Sequence, residues 1–316
     1  MKIKVASIQM SSALNDIDSN LRNAEKHIEE AVNSGSKLVL LPEFMPGGYG
    51  WTRNIWNAAE PREGKTLKWL CDISERYGIY LGTTYLEACG EDFFNSFVLT
   101  GPNGKELGRV RKKNMPVYEA FFFRSGSGSS VIKTEIGNIG VGICYDSWFS
   151  YLPRIAQKED FDLLLLPHSS PIPQKRSHIA QQHIDRFIED VRVVAERYSS
   201  LLGIPVVVSN KCGKFESSAP LGPPEKSEFP GLSAISDSNG KIVAQMSSHE
   251  EGYIVAEVSM DKMRKREFEF AGNGRWAWEG PWQRNLMIPI EFFGRLSYRM
   301  NVERRKRAKE IGEAIA

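Results

Sequence analysis

Apolar positions near the start of the chain change period twice within forty residues. Ile3–Gln9 has the apolar spacing and β-branching of a buried strand. From Leu21 the apolar residues recur at Ala24, Ile28, Ala31 and Val32, which is helical spacing; Asp18 or Ser19 is placed to cap that helix, and Gly35 stands where its C-terminal cap belongs. Leu38–Leu41 is then a short continuous apolar run, the signature of a strand buried on both faces, and it ends in Pro42–Glu43 before a glycine-rich loop. The segment reads as a β-α-β unit.

Similar alternation continues. Thr66–Tyr77 is predicted helical, Gly78–Glu87 a strand, and Phe93–Thr100 with Lys105–Arg111 a hairpin turning at Gly101-Pro102-Asn103-Gly104. Ile139–Cys144, Leu163–Pro167 and Val206–Ser209 read as further strands, the last two separated by the amphipathic stretch Ile179–Leu202. A second hairpin is expected over Leu232–Gln245, turning at Asp237-Ser238-Asn239-Gly240. From about Asp261 the pattern gives way to a tail rich in arginine and aromatics, without internal repeats. The expectation is one α/β domain over residues 1–260 and a C-terminal extension over 261–316.

Composition narrows the function classes. The 316 residues carry a net charge of +2, so no broad basic excess is available for nucleic acid or anionic lipid. No apolar run approaches the ~18 residues of a membrane span, and the N-terminal MKIKVASIQM lacks the continuous apolar core of a secretion signal. Cysteines 71, 89, 144 and 212 are widely spaced with no C-x-x-C pair, which suggests a reducing compartment and neither a disulfide framework nor a zinc site. The expected protein is cytoplasmic, with no nucleic-acid or membrane partner.

Three residues have addresses suited to chemistry. Cys144 closes a predicted strand and is followed by Tyr145-Asp146-Ser147-Trp148, at a sheet edge where α/β proteins build sites; on position alone it reads either as a nucleophile or as a small buried hydrophobe. Glu43 follows a buried strand directly, as a base or as one half of an ion pair. Lys112 lies in the basic run Arg109–Lys113, either a solvated strand end or a site cation. If the chain is extended there, Lys112 and Lys113 face opposite ways and only one enters a site.

Together, LLPEF, RKKNMP and GVGICYDSW, in this order and with the later VVVSN and GLSAISDSNG, resemble the carbon–nitrogen hydrolase (nitrilase) superfamily over roughly residues 3 to 260. The resemblance implies a four-layered α-β-β-α sandwich. It also implies Glu43 as general base, Cys144 as nucleophile of a thioester acyl-enzyme, and Lys112 with the backbone N–H of Tyr145 as oxyanion donors. Glu119 matches a second glutamate that holds the lysine and the substrate. The chemistry needs these types: an amide carbon requires a strong nucleophile, a base to create it and fixed positive charge where oxygen becomes anionic. No metal or organic cofactor is implied, and no His-x-His or similar ligand spacing is present. Cys144 is accordingly expected to react with an alkylating agent ahead of Cys71, Cys89 and Cys212. Two positions depart from the superfamily's usual pattern: Asn114 stands where histidine is common, and Phe149-Ser150-Tyr151 where F-P-E is common.

Asp146 resembles the amidase and carbamoyl amide hydrolase branches. Trp148 occupies a position where carboxylate-binding branches carry arginine, as in the N-carbamoylputrescine amidohydrolase-like branch, which favours neutral or amine-bearing substrates. Tyr49, Trp51 and His168 are further pocket candidates. The expected activity is cysteine-dependent hydrolysis of a small amide or N-carbamoyl amine. Nitrile hydrolysis, acyl transfer to an amine, and a binding module with an inactive site are the alternatives. In the tail, Trp276, Trp278 and Trp282 form an apolar cluster, and Arg304-Arg305-Lys306-Arg307 reads as a solvated helix diluted by Glu303, Glu310 and Glu313. The resemblance implies a homo-oligomer, a dimer or higher, with this tail packed on a neighbour.

Overall fold

The computed structural model describes residues 1–176, 179–218, 224–247, 249–260, 265–268 and 286–314. The chain opens with β1 (Lys2–Gln9), α1 (Ile17–Asn33) and β2 (Leu38–Leu40). Helix α1 starts one turn earlier than the apolar spacing suggests, because the Asp16 carboxylate accepts the Ser19 N–H at 3.2 Å and caps it. Asp18 sits inside the first turn and pairs with Lys65. Then follow α2 (Lys65–Tyr77), β3 (Tyr80–Cys89), β4 (Asp92–Thr100) and β5 (Glu106–Arg111). Gly78 is not the start of a strand. It closes α2 at φ +61°, a left-handed conformation open to glycine, and β3 begins two residues later.

The second half contains β6 (Val131–Thr134), β7 (Gly137–Val141), α3 (Tyr151–Lys158), β8 (Leu163–His168), α4 (Gln181–Leu202) and β9 (Val206–Asn210). After these come β10 (Cys212–Ser217), β11 (Glu225–Pro230), β12 (Ala234–Ser236), β13 (Ile242–Gln245) and β14 (Gly252–Ser259). The described residues form two six-stranded sheets, ordered β14-β1-β2-β3-β4-β5 and β13-β12-β9-β8-β7-β6, with β10 and β11 paired as a separate ribbon. In each sheet the central neighbours run parallel: β1-β2-β3 in one and β7-β8-β9 in the other.

Strand period explains the layering. Leu38 and Leu40 of β2 face the second sheet, while Val39 and Leu41 face α1 and α2. Leu163 and Leu165 of β8 face the first sheet, and Leu164 and Leu166 face α3 and α4. A strand covered on both faces must be apolar at every position, hence the continuous runs. The layers are therefore helix, sheet, sheet, helix, the expected α-β-β-α sandwich.

The tail supplies α5 (Ile288–Met300) and α6 (Val302–Gly312). Both pack on the body of their own chain. Gly294 lets α5 press against the short turn Val117–Phe121, where an added Cβ would meet the Ala120 Cβ at 2.8 Å. Arg304 of the basic run is not solvated: it is buried, pairs with Asp92 at 2.7 Å and lies 3.9 Å from the Tyr298 ring centroid. The outer face of α5 leaves Phe292, Phe293, Leu296 and Met300 exposed. Trp276, Trp278 and Trp282 lie outside the described residues.

Candidate active site

Parallel strands aim their carboxyl ends the same way, so residues just beyond β2 of one sheet meet residues at the ends of β7 and β8 of the other. Glu43 follows β2, and its backbone N–H donates to the His168 carbonyl at the end of β8 at 3.3 Å. Lys112 lies one residue beyond β5, with its N–H on the Asn95 carbonyl at 2.9 Å. Its Nζ donates to Glu43 Oε1 at 2.7 Å and to Glu119 Oε2 at 2.8 Å, with all three side chains fully buried. Lys113 points the other way, to Ser130 Oγ at 2.7 Å and over the Tyr151 ring.

Cys144 does not end the strand as its apolar context suggests. Strand β7 stops at Val141, and Cys144 opens a 3-10 turn, Cys144–Trp148, at φ +48°. A non-glycine residue in that region is strained by about 1–3 kcal/mol and persists only where its surroundings hold it. Two features hold it. Gly142 lets the chain pass α3, where a Cβ would meet Leu152 Cδ2 at 2.3 Å. The Asp146 carboxylate accepts the N–H of Ile143 at 3.3 Å and that of Asn114 at 2.9 Å, and Asn114 Nδ2 at 2.9 Å. Asp146 is thus a tie between the turn and the segment bearing Lys112, and Asn114 is one of its donors.

Electrostatics follow from burial. The thiol of Cys144 is held well above the ordinary thiol range by burial and by Glu43, with Lys112 opposing. Burial also lifts Glu119, against the pull of Lys112, and Lys112 itself is held cationic by Glu119 and Glu43 against its own desolvation. Glu43 Oε1 accepts from Lys112 and from Asn95 Nδ2 at 2.7 Å, whereas its buried Oε2 has no hydrogen-bond partner among the described residues. Tyr49 OH donates to Glu119 Oε1 at 2.5 Å and accepts from Trp51 Nε1 at 2.8 Å. Ser170 Oγ lies 3.2 Å from Cys144 Sγ.

A cavity of about 150 Å³ opens above Cys144, comparable to one that admits a benzene ring. Tyr49, Trp51, Tyr145 and Trp148 line it. His168 does not. It is buried beneath the cavity, neutral because burial and Lys112 push its pKa down to about 3, and neither ring nitrogen has a partner among the described residues. Its place follows from β8, which runs one residue longer than its apolar pattern and so keeps His168 in the sheet. Among the cysteines Cys89 is exposed, whereas Cys144 is buried and meets the cavity.

Several lining residues had no signal in the sequence. Phe187 comes from α4, and Met287 and Ile290 come from the tail. Glu291 of α5 accepts the Tyr145 hydroxyl at 3.1 Å and the Val117 N–H at 3.4 Å. Arg176 and Glu225 bring charge to the wall. Tail and loop positions carry no periodicity, and only the folded chain places them here. Of two other arginines that could meet a substrate carboxylate in place of Trp148, Arg124 pairs with Asp92 and Arg275 lies outside the described residues. No group of His, Cys, Asp or Glu among the described residues is arranged to hold a metal ion, and no described helix is long and apolar enough to cross a membrane.

A family model described as carbon-nitrogen hydrolase matches residues 4–267. The chain is similar to N-carbamoylputrescine amidase of Arabidopsis thaliana, 26% identical over 275 residues that cover 84% of this chain and 89% of the relative. It is 31% identical to a nitrilase of Pyrococcus abyssi over 216 residues, covering 66% and 82%. Its fold is similar to a solved carbon-nitrogen hydrolase from Helicobacter pylori, with a TM-score of 0.72 at 20% identity, covering 82% of this chain and 90% of that one.

Proposed function

The chain belongs to the carbon–nitrogen hydrolase family, and from that premise we propose that it hydrolyses a small amide or N-carbamoyl amine through a thioester on Cys144. The observation that carries this reading is the buried Glu43–Lys112–Glu119 cluster whose charges act on Cys144, the residue that lines the cavity.

In this reading Glu43 takes the thiol proton as sulfur attacks the carbonyl carbon. A neutral resting thiol fits that order, because the base acts in the same step as the attack. The tetrahedral oxyanion is met by Lys112 and the backbone N–H of Tyr145, preorganised positive charge in a site away from water. Collapse expels ammonia or an amine, which receives the proton from Glu43 and leaves the acyl group on sulfur. Water then attacks the thioester with Glu43 again as base, giving the acid and the free thiol. Glu119, fixed by Tyr49 and Lys112, positions the lysine.

Incubation with a panel of small amides, carbamoyl amines and nitriles tests the reading. Ammonia should be released from amides or carbamoyl amines, and intact mass should show a transient acyl adduct mapped to Cys144. Cys144→Ala should abolish both. Acid formed from a nitrile in preference to its amide would instead favour the nitrilase reading, which the Pyrococcus relative keeps in view. We also place the protein in the cytoplasm and read it as a homo-oligomer, on the strength of its widely spaced free cysteines and the exposed apolar face of α5.

A further inference from the structure

Among the described residues the cavity wall carries one ion pair that the mechanism does not use. Arg176 Nη2 donates to Glu225 Oε1 at 2.9 Å, and both residues line the cavity that holds Cys144. Their side chains are only 25% and 18% exposed. The segment bearing Arg176 is already fastened to β11 by uncharged bonds: Ile172 N–H to the Glu228 carbonyl at 2.9 Å, Ser227 Oγ to the Ile172 carbonyl at 2.5 Å, and Gln174 Nε2 to the Lys226 carbonyl. A charged rung is not needed to hold it there. Among the described residues the guanidinium bonds Glu225 and Gln174 through Nη2 alone, leaving its other N–H groups for a ligand.

We propose that Arg176 and Glu225 recognise a substrate end that carries both an ammonium and a carboxylate, so that the group hydrolysed is the ω-carboxamide or ω-ureido group of an α-amino acid. This rests on the amide hydrolase reading and names its substrate class. Trp148, Phe187, Met287 and Ile290 give the apolar lining along which the methylene chain lies. Charge logic selects the zwitterion. A lone carboxylate drawn to Arg176 meets Glu225 as a like charge, and a lone ammonium drawn to Glu225 meets Arg176. An end with both signs satisfies both groups and leaves the wall neutral. Trp148 removes the cation expected near the reacting carbon, so recognition of a carboxylate shifts to Arg176. The expected bias towards neutral or amine-bearing substrates is replaced by one for both charges at once.

Four substrates of equal chain length test this by kcat/KM: a terminal amide of an α-amino acid, its des-amino analogue, its decarboxy analogue and the uncharged alkyl amide. The wild type should favour the amino acid over each of the others by about tenfold or more, the worth of a charge-assisted hydrogen bond. Arg176→Met should move the preference to the amine-only compound and Glu225→Gln to the carboxylate-only one. The exchange Arg176→Glu/Glu225→Arg retains an ion pair but swaps its poles, and should reverse the preferred enantiomer. A wild type that turns over the uncharged amide with no advantage for the amino acid overturns this inference alone, as do variants that lower all four rates in equal proportion. Release of no ammonia from any of the four, with Cys144 unacylated, overturns the hydrolase reading and this inference with it.

Discussion

At the residue scale two adjacent lysines, one fully buried and one part-buried, point to opposite sides, and the proposed mechanism uses only the first. Lys112→Ala should lower kcat by about 10² or more, the cost of one oxyanion donor. It also strands Glu43 and Glu119 together in the interior, so stability at neutral pH should fall by about 3–5 kcal/mol. Lys113→Ala loses a half-buried contact and should retain most activity; steady-state rates and urea unfolding of both variants check the contrast. Glu119 adds a pH signature. Its folded pKa is raised from 4.5 to about 7, so between those values the folded state holds a proton that the unfolded state has released. Its stabilising contribution is fully present below about 4.5 and is lost as pH rises through about 7. Glu119→Gln should flatten that decline, read from unfolding midpoints at pH 5 and pH 7.5.

Between elements, the decisive joint is the one Asp146 makes. Its carboxylate gathers backbone N–H groups from Ile143, Lys113 and Asn114, tying the turn of Cys144 to the segment of Lys112 across the two sheets. Asp146→Ala leaves the buried Ile143 donor and the part-buried Lys113 and Asn114 donors without that acceptor, at about 1–3 kcal/mol each where water cannot replace it. The expected outcome is a clear loss of thermal stability together with a fall in kcat, since Cys144 and Lys112 lose their common anchor. Asn114→Ala removes one donor and should cost about 1 kcal/mol. The double variant should be less than additive, and a double-mutant cycle by calorimetry measures that coupling. Helix α5 acts in the same way from the tail, with Glu291 holding the Tyr145 hydroxyl and the turn that bears Glu119.

For the whole molecule, the arrangement of α5 bears on assembly. One face completes the cavity with Ile290, while Phe292, Phe293, Leu296 and Met300 stay exposed. An exposed apolar patch of this size is what the proposed homo-oligomer would cover. A second copy docked there should give a dimer or larger species in sedimentation velocity. Phe292→Asp/Leu296→Glu should shift it to monomer, and any accompanying loss of kcat/KM would report how far association steadies the cavity wall.

That the central strands are covered on both faces was legible in the chain from runs such as Leu38–Leu41 and Leu163–Leu166, while the four-layered order came with the resemblance. Where the strands end was less legible: at Gly78 and Cys144 the backbone turns left-handed, and hydrophobic period is blind to φ. The motifs marked Glu43, Lys112, Glu119 and Cys144 as candidates, but period and spacing say nothing of the distance between groups as far apart in sequence as Glu43 and Lys112, 69 positions. That distance is set by how two sheets pack and where their strands stop. The same holds for what no motif announced: Asn95 on Glu43, Met287 and Ile290 arriving from the tail, and Arg176 meeting Glu225 on the wall. Local sequence determines which face of a strand is apolar; only the packed molecule decides which charges share a cavity.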